Sequence, residues 1–216
     1  MPRIALIHAT PLSLPPVDEA FERLWPDAQR MHLLDDSLSR DRQRDGELTP
    51  AMVERFIRLA RYARDTGAHG ILFTCSAFGP AIDAAARDVA IPALKPNEAL
   101  FAQALGRGSR LGLMVTFEPS LESLAGELRG MAAERGAALE LRTVFVPEAM
   151  HDLAQGRAGE HHRKVAAAAA TLADCDAVLL GQFSMSAARP LVQAAVACPV
   201  LTTPECAVRE LKARLS

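Results

Sequence analysis

Short unbroken apolar runs alternate along this chain with longer segments whose apolar residues recur at helical spacing. "RIALI" (Arg3–Ile7), "GILFT" (Gly70–Thr74), "RLGLM" (Arg110–Met114) and "AVLLG" (Ala177–Gly181) are too short for helices and read as buried strands. "RMHLLDD" and "IPAL" are two further strands. Between them, "VDEAFERLW", "AMVERFIRLARYARDTG" and "AIDAAARDVA" carry apolar residues on one helical face. Thr49 and Pro50 supply an N-cap and a first-turn proline for the second of these helices, which ends at Gly67. Strands alternating with helices of this length predict an α/β fold with parallel sheet and right-handed crossovers. In such sheets ligands bind beyond the carboxyl ends of the strands.

The apolar pattern also repeats. At an offset of 107 residues and without gaps, "RIALI" falls on "RLGLM", "GILFTCSAF" (Gly70–Phe78) on "AVLLGQFSM" (Ala177–Met185), and "AIPAL" (Ala90–Leu94) on "ACPVL" (Ala197–Leu201). One shared offset in three places predicts an internal duplication: two pseudo-symmetric parallel-sheet lobes with a site in the cleft between them. The expected boundaries are 1–96 for the first lobe and 97–202 for the second. The amphipathic segment 203–216, containing "PECAVRELKARL", is expected to pack back on the first lobe.

Composition narrows the function classes. Half of the 216 residues are apolar and about a quarter charged, which fits an ordinary soluble protein. A formal charge of −2 with no basic face argues against nucleic acid as a partner. The longest apolar stretches, Val165–Ala173 and Ala177–Gly181, fall short of the ~20 residues a membrane helix needs. The N-terminal "MPRIALIHATPL" lacks a secretory apolar region and is broken by prolines, so a cytoplasmic location is expected. The four cysteines, Cys75, Cys175, Cys198 and Cys206, form no CxxC pair and no ligand spacing with histidine. His161 and His162 are adjacent and read as a solvated helix start. No metal, disulfide or organic cofactor is expected, since a Gly-rich phosphate loop is also absent from the sequence. Nothing fixes the oligomeric state, and a homo-oligomer is allowed.

Chemistry concentrates at "TCSAFG". Free cysteine often serves only as a small buried side chain, and Cys175, Cys198 and Cys206 read that way. Cys75 differs, because it ends a strand and precedes a helix, where the helix dipole favours a thiolate. Thr74 and Ser76 flank it with hydroxyls and N–H groups suited to a carboxylate, and Ala77 and Gly79 leave room for a ligand. The repeat sets Gln182, Phe183 and Ser184 opposite it. His8 ends the first strand, followed closely by Thr10, and has a side chain suited to proton transfer near neutrality. Thr116 and Phe117 occupy the matching loop of the second half, where Thr116 is a candidate carboxylate ligand. Asp35, Asp36 and Ser37 read as a cleft rim or a helix start, and Asn97, Glu98 and Glu118 as helix caps.

The duplicated organisation, "TCSAFG", "RLGLMVTFEPSLES" and "AVLLG" together resemble the aspartate/glutamate/hydantoin racemase superfamily, which also includes arylmalonate decarboxylases and maleate isomerases. The resemblance implies a cofactor-independent isomerase of racemase or epimerase type, moving a proton next to the carboxylate of a small acid. Racemases of this kind use two cysteines, one per half, on opposite faces of the reacting carbon. Cys75 matches the first, but the second position holds Gln182, whose amide does not exchange protons usefully. Ser76-Ala77 stands where racemases of acidic amino acids often carry Asn-Thr. Arylmalonate decarboxylases keep one cysteine, in the second half, so this chain has the mirror arrangement.

These departures leave three expectations. One is proton transfer with Cys75 and His8 as the carriers and an oxyanion hole around Ser76, Phe183 and Ser184. Another is a single-cysteine decarboxylase, lyase or cis–trans isomerase of the same superfamily. The third is a non-catalytic carboxylate-binding protein, in which the Gln182 amide holds the ligand. A working Cys75 is expected to be the most reactive of the four thiols.

Overall fold

The computed structural model describes residues 1–216. The first half runs β1 (Arg3–His8), α1 (Leu14–Leu24), β2 (Gln29–Leu34), α2 (Ser37–Asp45), α3 (Pro50–Asp65), β3 (Gly70–Phe73), α4 (Gly79–Asp88) and β4 (Ala93–Leu94). The second half runs α5 (Glu98–Leu105), β5 (Arg110–Val115), α6 (Ser120–Glu134), β6 (Glu140–Phe145), α7 (Ala149–Ala154), α8 (Ala158–Ala169), β7 (Ala177–Leu180), α9 (Arg189–Ala195), β8 (Val200–Thr202) and α10 (Thr203–Leu215). Two separate four-stranded sheets result, ordered β2-β1-β3-β4 and β6-β5-β7-β8, with every pairing parallel. The duplication is exact in register at the centre of each sheet: Ile7 faces Phe73 in one, and Met114 faces Leu180 in the other.

Burial on both faces explains why the central strands read as unbroken apolar runs. In β1, Ala5 and Ile7 pack under α3 and α4 with Phe56 and Ile82, while Ile4 and Leu6 pack under α1 and α10 with Phe21 and Val208. In β7, Val178 and Leu180 join Val165 of α8 and Val192 of α9, while Ala177 and Leu179 join Phe101 of α5 and Leu128 of α6. The edge strands β2 and β6 are largely half-exposed or exposed.

Helix boundaries follow local chemistry. Thr49 Oγ1 accepts the Met52 N–H at 3.3 Å, and Pro50 opens α3. Gly67 adopts φ +80 just beyond its end, a left-handed conformation that glycine takes at little cost. His161 departs from the sequence expectation: α8 begins at Ala158, so His161 lies one turn before Val165 on the buried face and is fully enclosed. Burial lowers its pKa to about 4, so the ring is neutral at physiological pH. Asn97 holds the N-cap position of α5, its carbonyl accepting the Phe101 N–H at 2.9 Å, but its side chain makes no capping bond. It is fully buried, with Oδ1 accepting the Thr203 hydroxyl at 2.7 Å. Glu98 lies in the first turn of α5 and pairs with Arg214 at 2.6 Å. Glu118 serves α6 through its carbonyl, which accepts the Leu121 N–H.

Two features tie the lobes together. Helix α10 sets Ala207, Val208 and Leu211 against the first sheet and Cys206 against the second. Phe183, from the 3-10 turn after β7, inserts into the first-lobe core beside Phe21 and Leu72. No helix is long and apolar enough to cross a membrane.

Gly112 of β5 marks a tight approach, since a Cβ there would lie 2.7 Å from Leu172 Cδ1. Gly112→Ala is expected to destabilise the protein by about 1–3 kcal/mol through overpacking. A denaturant midpoint equal to wild type would show that the contact relaxes freely.

Candidate active site

The carboxyl ends of both sheets converge on a cavity of about 230 Å³, smaller than the ~300–1,000 Å³ typical of drug-sized ligands. The first lobe contributes the turn after β1 and the Thr74–Phe78 loop after β3. The second contributes Phe117 after β5, Met150 and Ala154 of α7, and Gln182–Ser184 after β7. Of the residues singled out in the sequence, Thr10, Thr74, Cys75, Ser76, Phe117, Gln182, Phe183 and Ser184 line this cavity, whereas His8 and Thr116 do not. No charged side chain lines it, and Cys75 is its only titratable group.

Cys75 sits at the end of β3 and is only 6% exposed. Its thiol lies 3.5 Å from the Ile7 carbonyl. Burial pushes its pKa up to about 12, and the Ala9 N–H and the Thr74 hydroxyl offset that only in part. The resting group is therefore a thiol. This reverses the expectation that the helix dipole favours a thiolate in the free protein, because desolvation outweighs it.

Gln182 is the structural counterpart of Cys75. Its Oε1 accepts the Thr116 N–H at 2.6 Å, the Thr116 hydroxyl at 2.9 Å and the Phe117 N–H at 3.2 Å. Thr116 holds the place in the repeat that Ala9 holds beside Cys75, so the amide oxygen fills the position of the sulfur in its own lobe. Thr116 is thereby used internally and does not face a ligand. Gln182 Nε2 approaches the buried Ser120 hydroxyl at 3.4 Å, which in turn lies 3.3 Å from Ser76 Oγ.

His8 was expected at the cleft. It is instead fully buried behind the cavity wall, with Nδ1 2.8 Å from Ser13 Oγ and 2.9 Å from Thr74 Oγ1. Asp35 turns away from the cavity, caps Ser37 and pairs with Arg55. Asp36 pairs with Arg40 on the surface of α2.

Sequence reasoning missed Ser13, Ser39, Met150 and Ala154. Ser13 had a signal, since the common offset pairs it with Ser120 and both are buried serines beside the strand-end loops. Met150 and Ala154 follow β6, which starts four residues later than the offset places it.

Without ligand, iodoacetamide at neutral pH is expected to label the partly exposed Cys198 faster than Cys75. Fastest labelling at Cys75 would contradict the protonated, enclosed thiol.

The family model for Asp/Glu/hydantoin racemases matches residues 14–211. No curated protein matches the chain in sequence. Among solved structures, glutamate racemase from Francisella tularensis in complex with D-glutamate is 12% identical, with a TM-score of 0.75 over 99% of this chain and 80% of that one. An aspartate racemase homologue from Pyrococcus horikoshii is 18% identical, with a TM-score of 0.72 over 100% and 99%. A double mutant of arylmalonate decarboxylase, glycine to cysteine and cysteine to serine, in its liganded form is 22% identical, with a TM-score of 0.66 over 100% and 93%. At these identities the likeness is one of fold.

Proposed function

The chain belongs to the Asp/Glu/hydantoin racemase family, and from that premise we propose that it is a cofactor-independent enzyme moving a proton at the carbon next to a small acid's carboxylate. The observation that carries this reading is the pairing of strand ends in one cavity, Cys75 as its sole titratable side chain and Gln182 in the matching place of the other lobe. A carboxylate is held by neutral donors, the hydroxyls of Thr10, Ser76 and Ser184 and the backbone N–H groups of the strand-end loops. These donors also stabilise the enediolate that forms when the α-carbon loses a proton. Cys75, resting as a thiol, returns a proton to one face of that species. Phe78, Phe117 and Met150 receive an apolar substituent. No carboxylate is available to balance an ammonium group, which supports an acid without an amino group.

A second reading is favoured by Gln182 standing where a second thiol would: decarboxylation, in which loss of CO₂ generates the enediolate and Cys75 only protonates it. Small carboxylic and malonic acids incubated in deuterated water separate the readings. Deuterium exchange into a recovered acid supports the first, and CO₂ release supports the second. Binding of acids with neither outcome supports a non-catalytic carboxylate-binding protein.

A further inference from the structure

A continuous chain of polar side chains runs from the cavity wall to the surface of the first lobe. Ser13 and Thr74 line the cavity with hydroxyl oxygens 2.9 Å apart, and both meet His8 Nδ1. On its other edge, His8 Nε2 lies 3.1 Å from His32 Nδ1, with the two rings 15° from parallel. His32, on β2, is partly exposed, and its Nε2 lies 3.3 Å from Asp18 Oδ1 of α1. That contact lacks hydrogen-bond geometry. Arg30 holds the same carboxylate oxygen at 2.8 Å, and Glu22 adds a second acidic group beside Arg30.

The hydrogen positions follow from the chemistry of the ends. The Asp18 carboxylate repels a ring-nitrogen lone pair and attracts an N–H, so the His32 edge facing it carries its hydrogen on Nε2. With its hydrogen there, His32 offers Nδ1 as an acceptor, His8 donates from Nε2, and His8 Nδ1 is left as a lone pair facing the two hydroxyls. Burial and the neighbouring His32 lower the His8 pKa to about 3, consistent with a neutral ring. The chain is therefore polarised as a base at its cavity end.

We propose that His8 and His32 form a proton path from the Ser13 and Thr74 hydroxyls to solvent at Asp18, and that this path is the second proton carrier of the cavity. The inference rests on reading the cavity as a proton-transfer site. A proton released in the cavity is taken up by the Thr74 or Ser13 oxygen as that hydroxyl passes its own hydrogen to His8 Nδ1. His8 then passes its Nε2 hydrogen to His32 Nδ1. His32 becomes an imidazolium facing Asp18 and gives its Nε2 hydrogen to water. The reverse moves return a proton, so the path closes over any turnover in which one proton leaves and one comes back. Thr74 is adjacent to Cys75 and both line the cavity, so the path ends beside the thiol.

The test is nitrogen-15 NMR of histidine-labelled protein near neutral pH, which needs no substrate. The path predicts that His8 and His32 both carry hydrogen on Nε2 and none on Nδ1, and that Asp18→Ala releases this fixed tautomer in both rings. Hydrogen on His8 Nδ1 in the wild type would overturn it. With any acid that exchanges deuterium, His32→Ala should slow exchange by roughly tenfold, and added imidazole should restore part of the loss. An unchanged rate, or a loss that imidazole does not relieve, would reduce both residues to structural roles. Failure of every acid to exchange would count against the proton-transfer reading alone, because the tautomers are decided separately.

Discussion

Cys75→Ala should lower turnover of any acid the protein processes by at least about 10²-fold, the scale for loss of a general acid or base. The reason is local. Cys75 is the only titratable side chain on the cavity surface, and no lining group can take its place directly. Cys75→Ser should be nearly as poor, because an alcohol is a far weaker acid than a thiol even when the thiol is held near 12 by burial. Both variants should fold, since the sulfur makes only a long contact with the Ile7 carbonyl and the side-chain volumes are close. Full activity in Cys75→Ala on a verified substrate would make the thiol a packing group.

Gln182→Cys should change the stereochemical course. In the wild type, Gln182 Oε1 absorbs the Thr116 N–H, the Thr116 hydroxyl and the Phe117 N–H. A sulfur at the same place would stand beside those donors, much as the Ala9 N–H near Cys75 helps to hold its pKa down. That would set a second thiol on the opposite lobe, where the duplication aims it at the other face of the reacting carbon. Inversion of a chiral acid is expected to rise at least about tenfold over wild type, while the native reaction falls. The smaller side chain also leaves space and frees Ser120, at a cost in stability of about 1–2 kcal/mol. A folded Gln182→Cys protein with no gain in inversion would mean that position 182 does not face the reacting carbon.

The centre of each sheet was legible because β1, β3, β5 and β7 are buried on both faces and must be apolar throughout. The same constraint kept the repeat free of gaps there, and it led directly to the pairing of Cys75 with Gln182. The edge strand β6 escaped notice because half of "ELRTVF" is exposed and its apolar residues neither run unbroken nor alternate, and with it went Met150 and Ala154 on the cavity wall. His8 was correctly seen at a strand end, but alternation along β1 is not enough to say whether a terminal side chain faces the cleft or the core. Its environment depends on Ser13, Thr74 and His32, which converge from three separate segments. The Cys75 thiol was misjudged for a related reason. A helix start is visible in sequence, whereas the desolvation that outweighs its dipole arises only once Ala9, Ala77 and Phe78 pack around it.

The central claim is that the first lobe alone moves the proton, through Cys75 and the hydroxyls backed by His8. A single enantiomer of a responding acid, incubated in deuterated water and followed by proton NMR and chiral chromatography, tests it most directly. The account predicts that the wild type introduces deuterium at the α-carbon with configuration retained, and that Cys75→Ala abolishes the exchange. Loss of configuration as fast as deuterium enters, or undiminished exchange in Cys75→Ala, would contradict it.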